Sequence, residues 1–366
     1  MIRVERRLRQ PWWLTIVVPV GSLVVAAGVM SLVLLATHHA PGPTFRRLFD
    51  AAFVGQDDLN NTIVSATPLI FTGLCAAVAF RMQLFNIGGE GQLYAGSITG
   101  ALAGLLLGEH SGWLSVPLMI VFGALGGAAL ALIPGILRAW FSTSEIITSL
   151  MLNYVLALVL NYLIFDSHSY FRDLSPEAAT FPQGKILPAA ASWPTFDLGG
   201  IVLPFGFLAG IVLALVVWVL YQRTRFGFEV QVIGDSPRAA RYAGMRTRRK
   251  ILAVLALSGL LAGLGGASQT GDFRHVLDPR GLPAGNYGYT GIVVAALARY
   301  NPFAIVVVAF LLGGLQNAGY TLQGADFPSG LVGVMQGVIL FCALGSELLV
   351  RYRVRFPRLR PAEAAA

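Results

Sequence analysis

Residues 85 to 92 read FNIGGEGQ, a stretch that sets three glycines around one glutamate between two apolar runs. Glycine permits backbone angles that other residues avoid, and it allows helices to approach closely. A carboxylate at membrane depth is costly, so it normally faces a protein or water-lined interior. The stretch therefore predicts an irregular break that opens a helix, with Glu90 close to the start of that helix.

The composition indicates a protein that crosses a membrane many times. Of the 366 residues, 55% are hydrophobic and 12% are charged, whereas soluble domains carry about 25% charged residues. We expect an all-α, polytopic membrane protein with about ten transmembrane segments, some of them short or broken. The apolar runs lie at about 12–36, 62–80, 91–108, 113–137, 146–165, 201–221, 251–271, 289–299, 302–319 and 329–350.

Two features of these runs affect the topology. The first run follows a basic stretch as a signal peptide would, but it is too long for a signal h-region and lacks a clean small-residue cleavage site. We interpret it as an uncleaved helix. The third and eighth runs are shorter than a full span of roughly 20 residues and follow glycine-rich sequence, so they predict half-helices or helices that begin within the membrane.

The charge distribution predicts that both termini are cytoplasmic. If the chain crosses at every run from an inner N-terminus, 20 of the 26 Lys and Arg residues lie inside, and 11 of the 18 acidic residues lie outside. This is the positive-inside bias of multi-pass proteins, and it requires an even number of crossings. It also accounts for the net charge of +8 without a nucleic-acid partner.

The segments between the runs predict a single transmembrane domain over residues 1–366. Residues 166–200 form a polar, proline-containing external loop, which is either a small cap or a simple connection. Residues 222–250 form a basic cytoplasmic loop. The two cysteines, Cys75 and Cys342, fall inside apolar runs and are expected to be buried small hydrophobes. No cysteine or histidine spacing indicates a metal site.

Within the cytoplasmic loop, residues 235 to 244 read DSPRAARYAG. Asp235 or Ser236 suits an N-cap, Pro237 the first turn, and Gly244 a helix end. A helix of about two turns is marginal alone in water, so it is expected to dock against a partner. The alternative is a basic loop that only sets topology. The candidate docking residues are Asp235, Ser236, Pro237, Arg238, Ala239, Ala240, Arg241, Tyr242, Ala243 and Gly244.

Four motifs together resemble bacterial ABC importer permeases of the branched-chain amino acid, simple-sugar and nucleoside family. GDSPRAARYAGM is similar to the coupling-helix pattern GxNPxAARYAGI, with Asp235 and Ser236 where Asn is usual. FNIGGEGQLYAG, SEIITSLMLNYV and GYTGIVVAALARYNPFA resemble three further signatures, most closely those of the nucleoside and simple-sugar branch. The four occur in the expected order over roughly residues 85 to 303.

This resemblance implies a transport subunit of the bacterial inner membrane that is not itself an enzyme. Its expected partners are ABC ATPase subunits, an extracytoplasmic solute-binding protein, and a second permease, more often a different chain than a copy. The sequence has no GxxxxGK[ST] phosphate loop, so ATP and Mg are expected on the ATPase and no cofactor on this chain. The resemblance favours nucleosides as cargo, with ribose-like sugars second.

The residues that could line a path are polar groups at the glycine breaks and in the fifth run. A helix that starts inside the membrane exposes free amides, which Glu90 could bond at residues 87 to 89. Glu90 could otherwise contact cargo or lie at the cytoplasmic interface. Asn153 and Asn161 could line the path or join helices. The candidates are Asn86, Glu90, Gln92, Asn153, Asn161 and Tyr287.

Few fixed charges lie along these segments, so a neutral polar cargo is expected. Phe71, Phe80 and Phe85 could stack on a nucleobase, although ordinary lipid or core packing is the favoured interpretation. An ion-coupled secondary transporter is the principal alternative function, because it too would contain broken helices. It would require paired acidic or histidine residues at membrane depth. A membrane scaffold would leave the paired glycine breaks unexplained.

Overall fold

The computed structural model describes residues 3–6, 14–108, 112–166, 169–179, 182–323 and 330–355. The chain forms two compact units, Met1–Arg47 with Ala325–Ala366, and Leu48–Gly324. Parts of the predicted external loop and of the basic tail lie outside the described residues. So do six charged residues used in the topology argument: Arg7, Arg9, Glu109, Asp326, Arg358 and Arg360.

The described residues are mostly helical. The helices are α1 (Leu14–Ala36), α2 (Pro41–Phe53), α3 (Gln56–Phe80), α4 (Gly89–Leu107), α5 (Ser115–Phe141), α6 (Glu145–Asn161), α7 (Phe205–Arg223), α8 (Arg225–Asp235), α9 (Pro237–Tyr242), α10 (Thr247–Ser268), α11 (Gly281–Ala284), α12 (Tyr287–Leu297), α13 (Pro302–Thr321) and α14 (Gly330–Arg351). One π-helical turn, Tyr162–Asp166, extends α6, and another, Gln269–Arg274, extends α10.

Four short strands complete the described structure: β1 (Arg3–Arg6), β2 (Thr195–Leu198), β3 (Ile201–Pro204) and β4 (Tyr352–Arg355). In the unit that contains both termini, α1 packs on α14. There β1 and β4 pair antiparallel, with Arg3 opposite Arg355 and Arg6 opposite Tyr352. Strands β1 and β4 therefore lie side by side.

Every predicted apolar run corresponds to a helix, so the prediction of a helical, polytopic membrane protein is confirmed. Within the described residues, six helices are long and apolar enough to cross a membrane, or seven if the bent pair α1–α2 is one span. Helix α12 has only 11 residues, as its short run predicts, whereas α4 has 19 and approaches full membrane length. Helices α2 and α8 lie outside the predicted runs.

Helix α10 lies at the centre of the larger unit, packed against α3, α4 and α5. Small residues allow this close packing, as is common between membrane helices. A Cβ at Gly263 would overlap the carbonyl oxygen of Gly123 and approach the backbone of Gly127. The backbones of α5 and α10 are therefore almost in contact, which fixes the position of α10 next to the start of α4.

The predicted external loop is tied to the end of α10. The Trp193 amide donates to the Gly271 carbonyl at 3.0 Å, and the Leu187 amide donates to the His275 carbonyl at 2.7 Å. Beyond Trp193, β2 and β3 form a hairpin whose turn residues, Gly199 and Gly200, both have positive φ. At the half-exposed Asp173, the hydrogen bond from the Ser175 amide lowers the carboxyl pKa.

Candidate functional site

The break before α4 is held by a reciprocal pair of amide side chains. Asn86 donates from Nδ2 to Gln92 Oε1, and Gln92 donates from Nε2 to Asn86 Oδ1, both at 2.9 Å. The Asn86 oxygen also accepts from the Gly88 amide at 3.0 Å. Both side chains are buried. Two of the predicted path residues therefore bond to each other and fix the shape of the glycine-rich turn.

This amide pair is connected to two neighbouring helices through Ser258 of α10. Asn86 Nδ2 lies 2.9 Å from Ser258 Oγ, which donates to the carbonyl oxygen of Cys75 on α3 at 2.8 Å. Sequence reasoning missed Ser258 because it is an isolated serine within an apolar run. A buried hydroxyl needs a partner, and that requirement is the signal that could have identified it.

Glu90 caps the start of a different helix, 198 residues further along the chain. One carboxylate oxygen accepts from the Tyr94 hydroxyl at 2.6 Å, and the other accepts from the Gly288 amide. The Gly288 amide is in the first turn of α12, where the N-cap residue Asn286 supplies no side-chain bond. The expectation that Glu90 bonds amides at residues 87 to 89 is replaced by this bond between segments.

Gly288 is required for that contact. The start of α12 lies so close to the start of α4 that a Cβ on Gly288 would overlap the backbone of Glu90. A carboxylate next to the positive end of a helix dipole is favourable, and backbone amides in a membrane need internal partners. The glycine therefore allows the approach and the glutamate satisfies the exposed donors.

Asn153 of α6 performs the equivalent role for α4. Its Oδ1 accepts from the Gly91 amide at 2.8 Å, in the first turn of α4. Its Nδ2 lies 2.9 Å from the Ile87 carbonyl and 3.2 Å from the Tyr289 hydroxyl. Each broken helix is thus capped by a side chain from another helix. We refer to Asn86, Glu90, Gln92 and Asn153 as the helix-start cluster.

The other two predicted path residues, Asn161 and Tyr287, make hydrogen bonds of a different kind. Asn161 is half-exposed and donates to the Ala157 carbonyl on its own helix at 2.9 Å. Tyr287 is buried, and its carbonyl accepts from the Thr72 hydroxyl at 2.9 Å. Of the phenylalanines, Phe71 is buried in the core, while Phe80 packs against Phe85 and Tyr300.

Two further carboxylates were not recognised as site residues from the sequence. Asp272, in the turn after α10, accepts from Ser268 Oγ at 2.6 Å and from the Gly206 amide at 3.0 Å. It therefore caps α7 just as Glu90 caps α12. Glu145, at the start of α6, pairs with Arg138 at 3.2 Å and accepts from the Phe85 amide at 3.3 Å. Glu145 thereby anchors the segment before the break.

The predicted cytoplasmic helix forms as α9. Ser236 is its N-cap and accepts from the Ala239 amide at 3.3 Å, Pro237 is the first residue, and Gly244 has φ of +75° beyond the end. Ala240 is fully buried, so it holds the helix against its own loop. The exposed side chains include Arg238, Ala239 and Tyr242.

A basic cavity of about 760 Å³ borders this helix. Its lining comes from the start of α8, the residues after α9 and the start of α10: Arg225, Phe226, Phe228, Glu229, Ala243, Gly244, Met245, Arg246, Arg249, Lys250 and Ala253. Lys250 pairs with Glu229 at 2.8 Å. The exposed face of α9 is therefore continuous with a positively charged depression.

The described residues contain no group of three or more His, Cys, Asp or Glu side chains that could hold a metal ion. Cys75 and Cys342 are both free thiols. The arrangement can therefore position helix starts and present the exposed face of α9.

These features define a class: multi-pass membrane transport proteins with interrupted helices and a short polar helix between two spans. The profile of the family described as branched-chain amino acid transport system, permease component, matches residues 59–344. The chain belongs to this family. It is a multi-pass inner-membrane permease subunit of an ABC transporter, a transport component rather than an enzyme.

Three relatives show the range within the family. The nucleoside ABC transporter permease protein NupB of Lactococcus lactis is 30% identical over 89% of this chain and 90% of its own. The glucose ABC transporter permease protein TsgB13 of Haloferax volcanii is 31% identical over 96% and 93%. The guanosine ABC transporter permease protein NupP of Bacillus subtilis is 29% identical over 93% and 95%. In general, permeases of this family work with an ATPase and a binding protein.

Proposed function

We propose that this chain is the transmembrane subunit of an ATP-driven importer for a nucleoside-like solute. A binding protein delivers the solute to the outer face, and the permease passes it to the cytoplasm by alternating access. Relatives that carry nucleosides and guanosine support this cargo. A relative that carries glucose supports a simple, ribose-like sugar as the second candidate.

The observation that carries this proposal is the construction of α9. The helix is capped at Ser236 and anchored by buried Ala240, yet it presents Arg238, Ala239 and Tyr242 to solvent. A six-residue helix needs external support to be stable. The ATPase supplies that support, and motion of α9 passes to α7 and α10, which flank the loop. ATP and Mg reside on the ATPase, and this chain binds no metal or other cofactor.

The proposed topology has ten crossings with both termini in the cytoplasm. The antiparallel pairing of β1 with β4 supports this, because it holds the two ends of the chain together. Residues 1–366 act as one permease domain, with residues 166–200 outside and residues 222–250 in the cytoplasm. Two permeases assemble with the ATPases, as a heterodimer in preference to a homodimer, and no nucleic acid takes part.

An ion-coupled mechanism is less well supported. It needs titratable groups free to exchange protons or bind an ion within the membrane. Three carboxylates of the described membrane helices are buried: Glu90, Glu145 and Asp272. Each accepts from a backbone amide, and Glu145 also pairs with Arg138. These contacts within the chain favour coupling through α9.

The test changes the exposed face of α9 without breaking the helix. Ala239→Glu adds bulk and charge at the third helical position, where Glu completes a capping box with Ser236. The matched control is Gln231→Glu, an exposed position on α8 with the same change in charge. We expect at least tenfold less ATPase co-purification and nucleoside uptake in A239E, and near-normal values in Q231E. Normal assembly and uptake in A239E would refute the coupling assignment.

A further inference from the structure

Two tyrosines lie beside the helix-start cluster and are not enclosed by it. Tyr154 follows Asn153 on α6 and is 60% exposed. Tyr289, in the first turn of α12, is half-buried, and its hydroxyl oxygen accepts from Asn153 at 3.2 Å. Tyr154 is thus the chain neighbour, and Tyr289 the hydrogen-bond partner, of the same residue, Asn153.

The depth of Tyr154 is unusual for an exposed tyrosine. The span Glu145–Asp166 has 22 residues, and Tyr154 lies about 14 Å from its start at 1.5 Å per residue. That is near the middle of a hydrocarbon core about 30 Å thick. Membrane tyrosines concentrate at the interfaces, where the hydroxyl meets water. Tyr162, also exposed on α6, lies at the end of the span and fits that pattern.

A hydroxyl facing lipid tails at mid-depth would lack a hydrogen-bond partner, which is unfavourable. Tyr154 has no hydrogen-bond partner among the described residues. Tyr289 receives a bond from Asn153, and its own hydroxyl hydrogen has no acceptor among them. The exposed side of this pair is therefore suited to contact polar groups, such as those of a solute in a transport path.

The surroundings of the pair limit the charge of that solute. The starts of α4 and α12 would ordinarily attract an anion, but the Gly91 amide is bonded by Asn153 and the Gly288 amide by Glu90. Glu90 also adds a carboxylate behind the pair. What remains available is one exposed ring, one part-exposed ring and their hydroxyls, which suit an uncharged planar ring with hydrogen-bonding edges.

We propose that Tyr154 and Tyr289 contact the cargo at the midplane of the membrane. Tyr154 stacks on the heteroaromatic base of a nucleoside, because aromatic side chains stack on any base. Tyr289, held by Asn153, donates its hydroxyl hydrogen to an acceptor on the base or sugar. The capped helix starts disfavour a phosphate, so the pair selects nucleosides over nucleotides. This inference rests on the proposed importer function and names the contacts within it.

Asn153 acts as a positioning residue in this arrangement. It bonds the Ile87 carbonyl and the Gly91 amide at the break before α4, and it bonds the Tyr289 hydroxyl with the same Nδ2 group that reaches Ile87. The orientation of Tyr289 is therefore coupled to the geometry of the glycine break, which connects the cargo contact to the start of α4.

The experiment uses the complete transporter, with its ATPases, sister permease and binding protein, in proteoliposomes. Uptake of radiolabelled guanosine, uridine, ribose and guanosine monophosphate is measured for the wild type and for Tyr154→Ala, Tyr154→Phe and Tyr289→Phe. The control is Tyr162→Ala, which removes an exposed tyrosine at the end of the same span. Assembly and ATPase activity stimulated by the binding protein are recorded for each variant.

We expect Y154A to raise the KM for nucleoside uptake at least tenfold with assembly intact. Y154F retains the ring, so its KM should be at least fivefold lower than that of Y154A. Y289F should raise KM threefold to tenfold, and Y162A should match the wild type. An unchanged KM in Y154A would refute the proposed cargo contacts of the two tyrosines and would leave the proposed importer function unaffected. Loss of permease pairing in Y154A would also refute those contacts, by assigning this face to a protein interface. A wild type that takes up no nucleoside would overturn both proposals.

Discussion

The helix-start cluster and α9 use polar residues in opposite ways. In the cluster, Asn86, Glu90, Gln92 and Asn153 are at most 3% exposed, and all bond within the chain. In α9, only the cap and Ala240 serve the chain itself, while Tyr242 is 93% exposed. The residues of the helix-start cluster are required for the fold, and the exposed residues of α9 are available to a partner. Substitutions should therefore separate stability from coupling.

The largest effect is expected from Gly288→Ala, which places a methyl group against the backbone of Glu90. Backbone atoms cannot move aside as a flexible side chain can. We therefore expect the free energy of unfolding to fall by about 3 kcal/mol, or folded protein to fail to accumulate. The measurement is the thermal unfolding midpoint of the purified permease in detergent. Gly333→Ala on α14 has open space around it and should leave the midpoint unchanged or raise it. A stable G288A protein would show that the two helix starts can separate.

The next largest effect is expected from Glu90→Ala. It leaves the Gly288 amide and the Tyr94 hydroxyl without their partner, at a cost of about 1–3 kcal/mol for each buried group left unsatisfied. Glu90→Gln keeps an acceptor for the amide and a donor for the hydroxyl. Its free energy of unfolding should therefore fall by less than about 1 kcal/mol. Thermal unfolding in detergent and uptake by the assembled transporter would be compared. Equal losses in E90A and E90Q would mean that the charge, rather than the cap, is essential.

The smallest effect is expected from Ser236→Ala, which removes the side-chain cap of α9. Loss of an N-cap costs about 1 kcal/mol, and the cost should remain local because the rest of the helix projects outward. Hydrogen exchange of the amides over residues 237–242 should accelerate about fivefold, with no change in the global unfolding midpoint. Ser236→Asp keeps an acceptor and should preserve protection. Unchanged exchange in S236A would show that Ala240 and the loop hold α9 without the cap.

Much of the fold could be predicted from local sequence. The apolar runs predict the positions of the membrane helices, and the order Ser236, Pro237, Gly244 predicts both ends of α9, because caps and turns depend on nearby residues. Helix α8 was not predicted because its apolar residues are too few for a span and too mixed for a clear strand. Helix α2 was missed for a similar reason.

The bonds between segments could not be predicted in the same way. FNIGGEGQ indicates that Glu90 has amides to satisfy, but nothing local indicates that these belong to Gly288. Asp272 follows an apolar run, and nothing local indicates that the π-helical turn places its carboxylate against the start of α7. Partners of this kind depend on which helices pack together, and that follows from the small-residue contacts of α10 rather than from periodicity.

The bond between Glu90 and Gly288 also has a consequence for how the protein is made. Helix α12, with 11 residues, is too short to span a bilayer by itself, and its first amides find an acceptor on a segment synthesised 198 residues earlier. In lipid no water is available to replace that acceptor. The second half of the chain therefore depends on the first as a template during membrane insertion. A gene divided between α7 and α10 should yield a stable C-terminal fragment only when the N-terminal fragment is produced alongside it.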